Sequence, residues 1–557
     1  ASRGLGDVYK RQLPFRFLPY ANWVNMEFGF TSSYNWRAYS RGMSIFEDEN
    51  GRMRNLGNGT AQNSNTITLL GDFDFQKFYP EFKGYRQYDS IRKGRQSEID
   101  SINNANAERA NSKFRRRLNN QKFKFKNQYR MKDIAWMVLG SLKKSQFNYS
   151  QNNGAVVPGL YGEPGFFGMA SGMPGFGFVY GTDFDIKRTF VERGYITNDE
   201  LMLEPYQIMK SSNFTATALI EPMPDFRIDL DVKRNKDYRN YHSGFNLLGN
   251  QYNGFINEMA NLNISNISVR TAFTNRDEMY QNFRTNVVVI GSGENEESFS
   301  RYDVILPAFV SAIEGKSAKK QSKDWNRKIP APNWRIAYTG LTNMPIISKW
   351  FDQVEITHSY LSSYTVSGVQ SNIFYNNPSV HLPSANSNSP YLFTSVAMVE
   401  AFNPLVGVDV TLRNNFQFRA QYNRDRLLQL NFDSYTINED YGNEIIAGFG
   451  YIFKDLKFKM RYQGRTKTVR GDLNIRGDFS VRDNESRLRK FSFGNEDSQI
   501  VGGQKIMKFM FSADYNLSQN LNIKFYWDQN ISKYKLSTAY PISTIRTGLS
   551  ATFTFGN

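Results

Sequence analysis

The sequence predicts an all-β protein: the wall of an antiparallel transmembrane β-barrel carrying irregular and helical loop insertions. Three observations lead there. Period-two alternation of apolar and polar residues recurs for hundreds of positions. Aromatic content is 15%, with 45 Phe and 32 Tyr among 557 residues, yet mean hydropathy is only −0.56. No window holds about 18 consecutive apolar residues, so no transmembrane helix is available. A barrel strand escapes that test, because only alternate residues face lipid.

The strands follow in order. Val24, Met26, Phe28, Phe30, Tyr34 and Trp36 alternate with Asn25, Glu27, Gly29, Thr31, Ser33 and Asn35. Ile67, Leu69, Phe73 and Phe75 alternate with Thr68, Asp72 and Asp74. Phe226, Ile228, Leu230 and Val232 alternate with Arg227, Asp229, Asp231 and Lys233. Leu456, Phe458, Met460 and Tyr462 alternate with Lys457, Lys459 and Arg461. A soluble antiparallel sheet also alternates. Strands of about 9 to 14 residues suit a tilted bilayer crossing, and the aromatic faces suit interfacial girdles. A Lys or Arg on the lipid face near the midplane costs roughly 2–4 kcal/mol. Arg227, Asp229, Asp231, Lys233, Lys457, Lys459 and Arg461 are therefore expected to face a wet lumen.

The end of the chain reads most clearly. Met507 to Tyr515 is a strand, Leu517 to Asn520 a turn, Leu521 to Trp527 the return. Ile545 to Phe555 is the last strand, with Phe553 and Phe555 as a barrel-assembly signal. With the turn at Ser518 on the periplasmic side, connections 484–501 and 532–543 fall outside the cell. A tight turn at Lys454-Asp455 does not fit this alternation.

The chain divides accordingly. Residues 1–12, ASRGLGDVYKRQ, resemble a translated transposon-end sequencing adapter and are excluded from fold reasoning. They imply a truncated reading frame, with the natural N-terminus and any signal peptide upstream. Residues 13–87 are barrel strands. Residues 88–131 are a polar, basic insertion without an apolar face, expected in the periplasm. Residues 132–274 are strands with a Gly-, Pro- and aromatic-rich loop at 153–181. Residues 275–352 form a mixed helical insert or cap with a strand, including a helix from Val304 to Glu314. Residues 353–557 are strands again.

The composition excludes several chemistries. The chain has no Cys, which removes thiol nucleophiles and thiolate metal sites. Its three His, at 242, 358 and 381, lack ligand spacing. Asp229 and Asp231 share one alternating face, as a lumen strand requires, and form no catalytic constellation. No enzyme activity, cofactor or metal is expected. The net charge of +17 is spread along the chain, which argues against a nucleic-acid patch. The loop glycines lack the Lys-Ser or Lys-Thr pair of a phosphate loop. Pro158, Gly159, Pro164, Gly165, Pro174 and Gly175 are candidates for a cap or gate.

Several segments, in collinear order, resemble the SprA/Sov family, the outer-membrane translocon of the type IX secretion system. They are FNYSQNNGAVVPGL (147–160), PGFGFVYG (174–181), EPMPDFRIDLDVKRN (221–235) and DVILPAFVSAIEGK (303–316). KIPAPNWRIAYTGLTNMP (328–345), SVRDNESRLRK (480–490), GGQKIMKFMFSADYNLSQNLNIKFYWD (502–528) and TGLSATFTF (547–555) continue the series. The resemblance implies the C-terminal portion of a giant barrel, of the class that reaches about 36 strands, in the outer membrane of Bacteroidota. It implies export of folded cargo bearing C-terminal secretion domains, and adhesin export in gliding species. It also implies a PorV-type partner barrel at a lateral opening and a periplasmic plug protein. Such a portion holds about half of the strands and leaves two edges unpaired, which is costly in lipid. Two other classes compete: the barrel of a TonB-dependent nutrient receptor, and a β-rich surface adhesin without a channel.

Overall fold

Alternating segments can satisfy their backbone only by pairing edge to edge, and here they do so in one antiparallel sheet of 17 strands. The computed structural model describes residues 3–13, 21–40, 44–111, 131–165, 175–181, 190, 192–197, 199, 201–202, 204–248, 251–293, 296–320, 324–344, 346–372, 374–375, 389–462, 465–491, 497–518, 521–536 and 540–553. The strands are β1 (Arg3–Leu13), β2 (Val24–Ala38), β3 (Gly59–Asp74), β4 (Leu142–Leu160), β5 (Tyr206–Met223), β6 (Phe226–Leu248), β7 (Gln251–Ser265) and β8 (Asn333–Tyr338). They continue as β9 (Phe351–Ser371), β10 (Ser395–Leu412), β11 (Phe416–Asn431), β12 (Thr436–Tyr462), β13 (Arg465–Lys490), β14 (Asp497–Ser518), β15 (Leu521–Tyr534) and β16 (Ile542–Phe553). The two-residue strand Tyr391–Leu392 extends β10 along β9.

Strands adjacent in sequence are adjacent in the sheet, with one exception. β7 and β8 share a single place between β6 and β9. β6 pairs with β7 from Arg234↔Ile264 upward and with β8 from Asp231↔Asn333 downward. β9 pairs with both from the other side. Residues 266–332 are thus spliced into the middle of a strand. A break in a ladder leaves backbone groups to satisfy, and side chains do it. Ser265 Oγ accepts from Lys233 N at 3.1 Å, and Asn333 Oδ1 accepts from Ser362 N at 2.8 Å. Among the described residues, β1 and β16 each pair on one side only. The adapter-like residues form β1, since the open edge of β2 is a template for any extended segment.

The register divides the sheet into two faces. One is polar across its width, in rows such as Asn25–Asp72–Gln146–Thr217 and Glu355–Asp409–Arg419. The other carries Phe418–Phe449 and Phe479–Phe509 as direct cross-strand pairs. Strand lengths exceed the 9–14 residues expected from sequence: β12 has 27 residues and β13 has 26. At about 3.3 Å per residue such a strand is roughly 90 Å long, whereas a tilted crossing needs about 9–11 residues. Pairing simply continues where apolar alternation ends, as between 436–446 and 480–490.

The expected turn at Lys454-Asp455 is a bulge instead. Pairing steps from Phe453↔Leu473 to Leu456↔Gly471, and Asp455 takes φ 53°. β12 runs on to Tyr462, opposite Arg465. With that turn removed, hairpin ends alternate regularly. The lower end of the sheet has short connections at Met223/Phe226, Leu412/Phe416, Tyr462/Arg465 and Ser518/Leu521. The long connections 39–58, 161–205 and 372–394 lie at the upper end.

Three further boundaries differ from the sequence reading. Residues 153–160 belong to β4, not to an irregular loop. The lower excursion starts at Phe75 and forms α1 (Lys83–Asn111) and α2 (Met131–Leu139), so strand resumes only at Leu142. Its apolar corner, made of Tyr79, Tyr85, Tyr88 and Trp136, falls almost wholly outside 88–131, with Tyr88 alone inside that span. The helical insert begins at 266 rather than 275 and holds α3 (Arg276–Gly291), α4 (Glu296–Ser300) and α5 (Tyr302–Glu314). Phe283, Val287, Phe299, Ile305, Phe309 and Ile313 pack on Leu262, Tyr364, Val366, Met398, Leu428, Leu430 and Ile437 of the sheet.

Phe283→Ala should cost about 3–5 kcal/mol of local stability. In hydrogen exchange, α3 and α5 should lose protection while the lower ends of β14 and β15 keep theirs.

Candidate functional site

The polar face offers a cleft of about 640 Å³ lined by Arg335, Glu355, Asp409, Arg419, Arg476 and Asp478, among others. Arg419 Nε donates to Asp409 Oδ1 at 2.5 Å, and Arg227 Nη2 to Asp229 Oδ1 at 2.8 Å. Exposed pairs of this kind are worth about 0–1 kcal/mol. Their consequence is hydration of the face rather than stability.

All seven charged candidates lie on this polar face by register. Arg227 is opposite Ala337, Asp229 opposite Arg335, Asp231 opposite Thr217 and Asn333, and Lys233 opposite Thr215. Lys457, Lys459 and Arg461 are opposite Arg470, Thr468 and Thr466. The two groups sit on strands well apart in the sheet, so they do not converge. Among the described residues, no group of three or more His, Asp or Glu is placed to hold a metal ion.

The opposite face has two zones. Its lower part exposes Val406, Phe418, Ile445, Phe449, Phe479, Phe509, Phe525, Leu549 and Phe553 with nothing over them. Phe553 stands opposite Leu521 in the last pair of the sheet; Phe555 lies outside the described residues. Its upper part is covered by both insertions. From the Gly-Pro-aromatic loop, Phe178 and Val179 pack against Tyr34, Ala61, Ala155, Tyr206 and Ile208. Asn63 Nδ2 donates to the Phe178 carbonyl at 2.7 Å.

The cap or gate candidates divide in the same way. Pro158 and Gly159 end β4. Gly159 takes φ 71°, and a Cβ there would strike the Thr197 and Met202 side chains. Pro164 and Gly165 are irregular, and Gly175 precedes the helical turn Phe176–Val179. Pro174 lies outside the described residues. The described part of this loop packs on the apolar side of the sheet, not over the polar face.

The upper zone also holds buried charges that clamp the helical insert. Arg426 Nε meets Glu400 Oε2 at 2.7 Å, with both side chains only 3% exposed. Arg426 Nη1 also donates to the Thr271 carbonyl at 2.8 Å, so one strand guanidinium holds the entry of the insert. Glu400 Oε1 accepts from the Tyr360 hydroxyl at 2.7 Å and Ser268 Oγ at 2.9 Å. At the exit, buried Glu314 pairs with Arg327 at 2.5 Å and Lys316 at 2.8 Å. Arg489 joins Glu439 at 2.9 Å and Asp277 of α3 at 2.6 Å. The Arg489 guanidinium holds the Asp277 carboxyl below the usual carboxylate range.

The sequence reading missed these clamps, although a signal existed. Glu400 stands in apolar register between Met398 and Phe402, and Glu439 between Ile437 and Tyr441. An acid at such a position is costly unless it is paired and hydrogen-bonded.

Comparisons with known proteins add little to this. No family model matches, and no curated protein matches. Solved structures with some likeness include the FrpB iron transporter of Neisseria meningitidis, at 8% identity and TM-score 0.26, over 96% of this chain and 61% of that one. The ferric-catecholate import receptor Fiu of E. coli K12, in its closed form, aligns at 8% identity and TM-score 0.25, over 96% and 64%. BauA, the ferric preacinetobactin receptor of Acinetobacter baumannii, aligns at 7% identity and TM-score 0.23, over 99% and 73%. The chain thus spans less than two thirds of the length of the first two. TM-scores this low assign no function.

Arg426→Met leaves Glu400 buried and unpaired, which costs about 3–5 kcal/mol. Limited proteolysis within 266–332 should accelerate accordingly. The double change Glu400→Leu with Arg426→Met should restore most of the resistance.

Proposed function

We propose that this chain forms part of the wall of an outer-membrane transport barrel in a Gram-negative bacterium. The observation that carries the reading is a single sheet with no second layer below the caps. One face is polar along its whole height, and the other exposes a band of aromatic and aliphatic side chains in its lower part. Water suits the first face and hydrocarbon the second. Arg227, Asp229, Asp231, Lys233, Lys457, Lys459 and Arg461 then line the aqueous passage. Apart from the 75–141 excursion and the 339–350 link, the lower-end connections are tight hairpins. The upper end carries the long connections 39–58, 161–205 and 372–394, and on that basis the lower end is periplasmic.

For what passes through, we propose folded protein, on the collinear segments that resemble the SprA/Sov translocon. In that reading the partners are a PorV-type barrel at a lateral opening, a periplasmic plug and cargo with C-terminal secretion domains. The two insertions brace the outside of the wall above the membrane. Closure of the passage then falls to partners or to other parts of the barrel. A second reading is the barrel of a TonB-dependent nutrient receptor; the solved structures above are named as an iron transporter, a ferric-catecholate import receptor and a ferric preacinetobactin receptor.

Removing 502–557 in the native host takes out most of β14 and all of β15 and β16, and separates the two. Export predicts cargo retained in the periplasm with normal small-solute uptake. Unchanged secretion with failed uptake of one ferric chelate means a receptor.

A further inference from the structure

The short helix α2 is amphipathic in the wrong direction for a helix packed on its own protein in water. Its outward stripe is Ile134, Ala135, Val138 and Leu139, and the first, third and fourth are 45%, 63% and 59% exposed. These positions are spaced so that they share one helix face. Its inward residues are Asp133, which is buried, and Trp136 and Met137, which pack on the tyrosines of α1. The rotation is fixed by close contact. A Cβ on Gly84 would lie 2.5 Å from the Trp136 ring, and one on Gly140 2.6 Å from Tyr85. Lys143 Nζ, itself buried, donates to the Gly140 carbonyl at 2.8 Å just past the helix C-terminus. The apolar stripe therefore cannot turn inward without dismantling this corner.

The corner is continuous with the apolar face of the sheet. Trp136 meets Tyr85 edge-on at 5.9 Å, and Tyr85 meets Tyr79 at 5.1 Å. Tyr79 stacks with Phe75, Phe75 with Phe73, and Phe73 with Phe147 at 5.9 Å. Phe73 and Phe147 share the apolar face by register with Val24 and Ala216. Lys83 and Arg86, at the start of α1, are exposed beside this corner. Aromatic rings, an apolar stripe and basic side chains at the end of a lipid-facing band match the boundary between acyl chains and phosphates.

We propose that α1 and α2 form a foot in the phospholipid leaflet at the lower end of the sheet. Ile134, Val138 and Leu139 enter the acyl region, and Lys83 and Arg86 face the lipid phosphates. The foot rests on the membrane reading given above and adds a contact that the strands alone do not make. It fixes the depth of the wall, because a helix across the strand ends cannot rise or sink without exposing its stripe.

This chain has no cysteine, so a label introduced into it reports a single site once any cysteine elsewhere in the intact protein is replaced by serine. Val138→Cys and Phe449→Cys, each carrying a bimane, are to be compared in the intact protein in phosphatidylethanolamine–phosphatidylglycerol nanodiscs. Lipids spin-labelled near the glycerol or near the chain end serve as quenchers. The expected result is loss of most of the emission at 138 with the shallow quencher and at 449 with the deep one. Quenching at 449 but not at 138 overturns the foot and leaves the membrane wall standing. Quenching at neither site overturns the membrane wall and the foot with it. Protection of 138 from lipid, with excimer emission when pyrene replaces bimane, assigns the stripe to a second copy and also overturns the foot.

Discussion

The structure depends on one constraint: the strands of a very wide sheet satisfy their backbone by lateral pairing, and among the described residues no second layer lies behind its lower part. A sheet of this kind has two faces that cannot both be covered by its own chain. Each strand therefore carries its two solvents in its sequence, at alternate positions. The polar rows and the aromatic rows are separate consequences of that alternation. So is the cost of any break in the ladder, which is why the splice between β7 and β8 is patched by Ser265 and Asn333.

The apolar face is divided by height. Below, Phe418, Phe449, Phe479 and Phe509 stand bare. Above, on the same face, Glu400 is paired with Arg426 and Glu439 with Arg489 under the insert. Such charges are tolerable only where other polar groups complete their hydrogen bonds, so the clamps set the upper limit of any lipid-facing band. The corner of α1 and α2 sets the lower one with aromatic rings. The bare band between these limits is shorter than the strands themselves.

The insertions do different work from what their composition suggested. A Gly-Pro-aromatic loop and a helical cap are natural candidates to close a passage. Their described residues pack on the apolar face of the sheet, because that is where apolar surface needs cover. Phe178 fills a hollow over Ala61 and Ala155, and Phe283 and Phe309 lie over the β9 to β12 region. The polar face gains no hydrophobic cover from either.

The sequence by itself determined the fold class, the strand phase and the side of the sheet taken by Arg227 to Lys233 and Lys457 to Arg461. Alternation is a local property, and a residue's face follows from its parity within a strand. The sequence did not determine strand length, since pairing continues where polar residues such as Glu439 and Asn443 interrupt the apolar period between Ile437, Tyr441 and Ile445. Nor did it separate a turn from a bulge at Asp455, because both interrupt parity by the same step. Which side the insertions cover, and that Glu400 finds Arg426 across the β10–β11 pair beneath the cap, only the tertiary structure decided. The strand guanidinium of Arg426 and its partner Thr271 in the insert are far apart in sequence, and nothing local to either insertion specifies which face of the sheet it will meet.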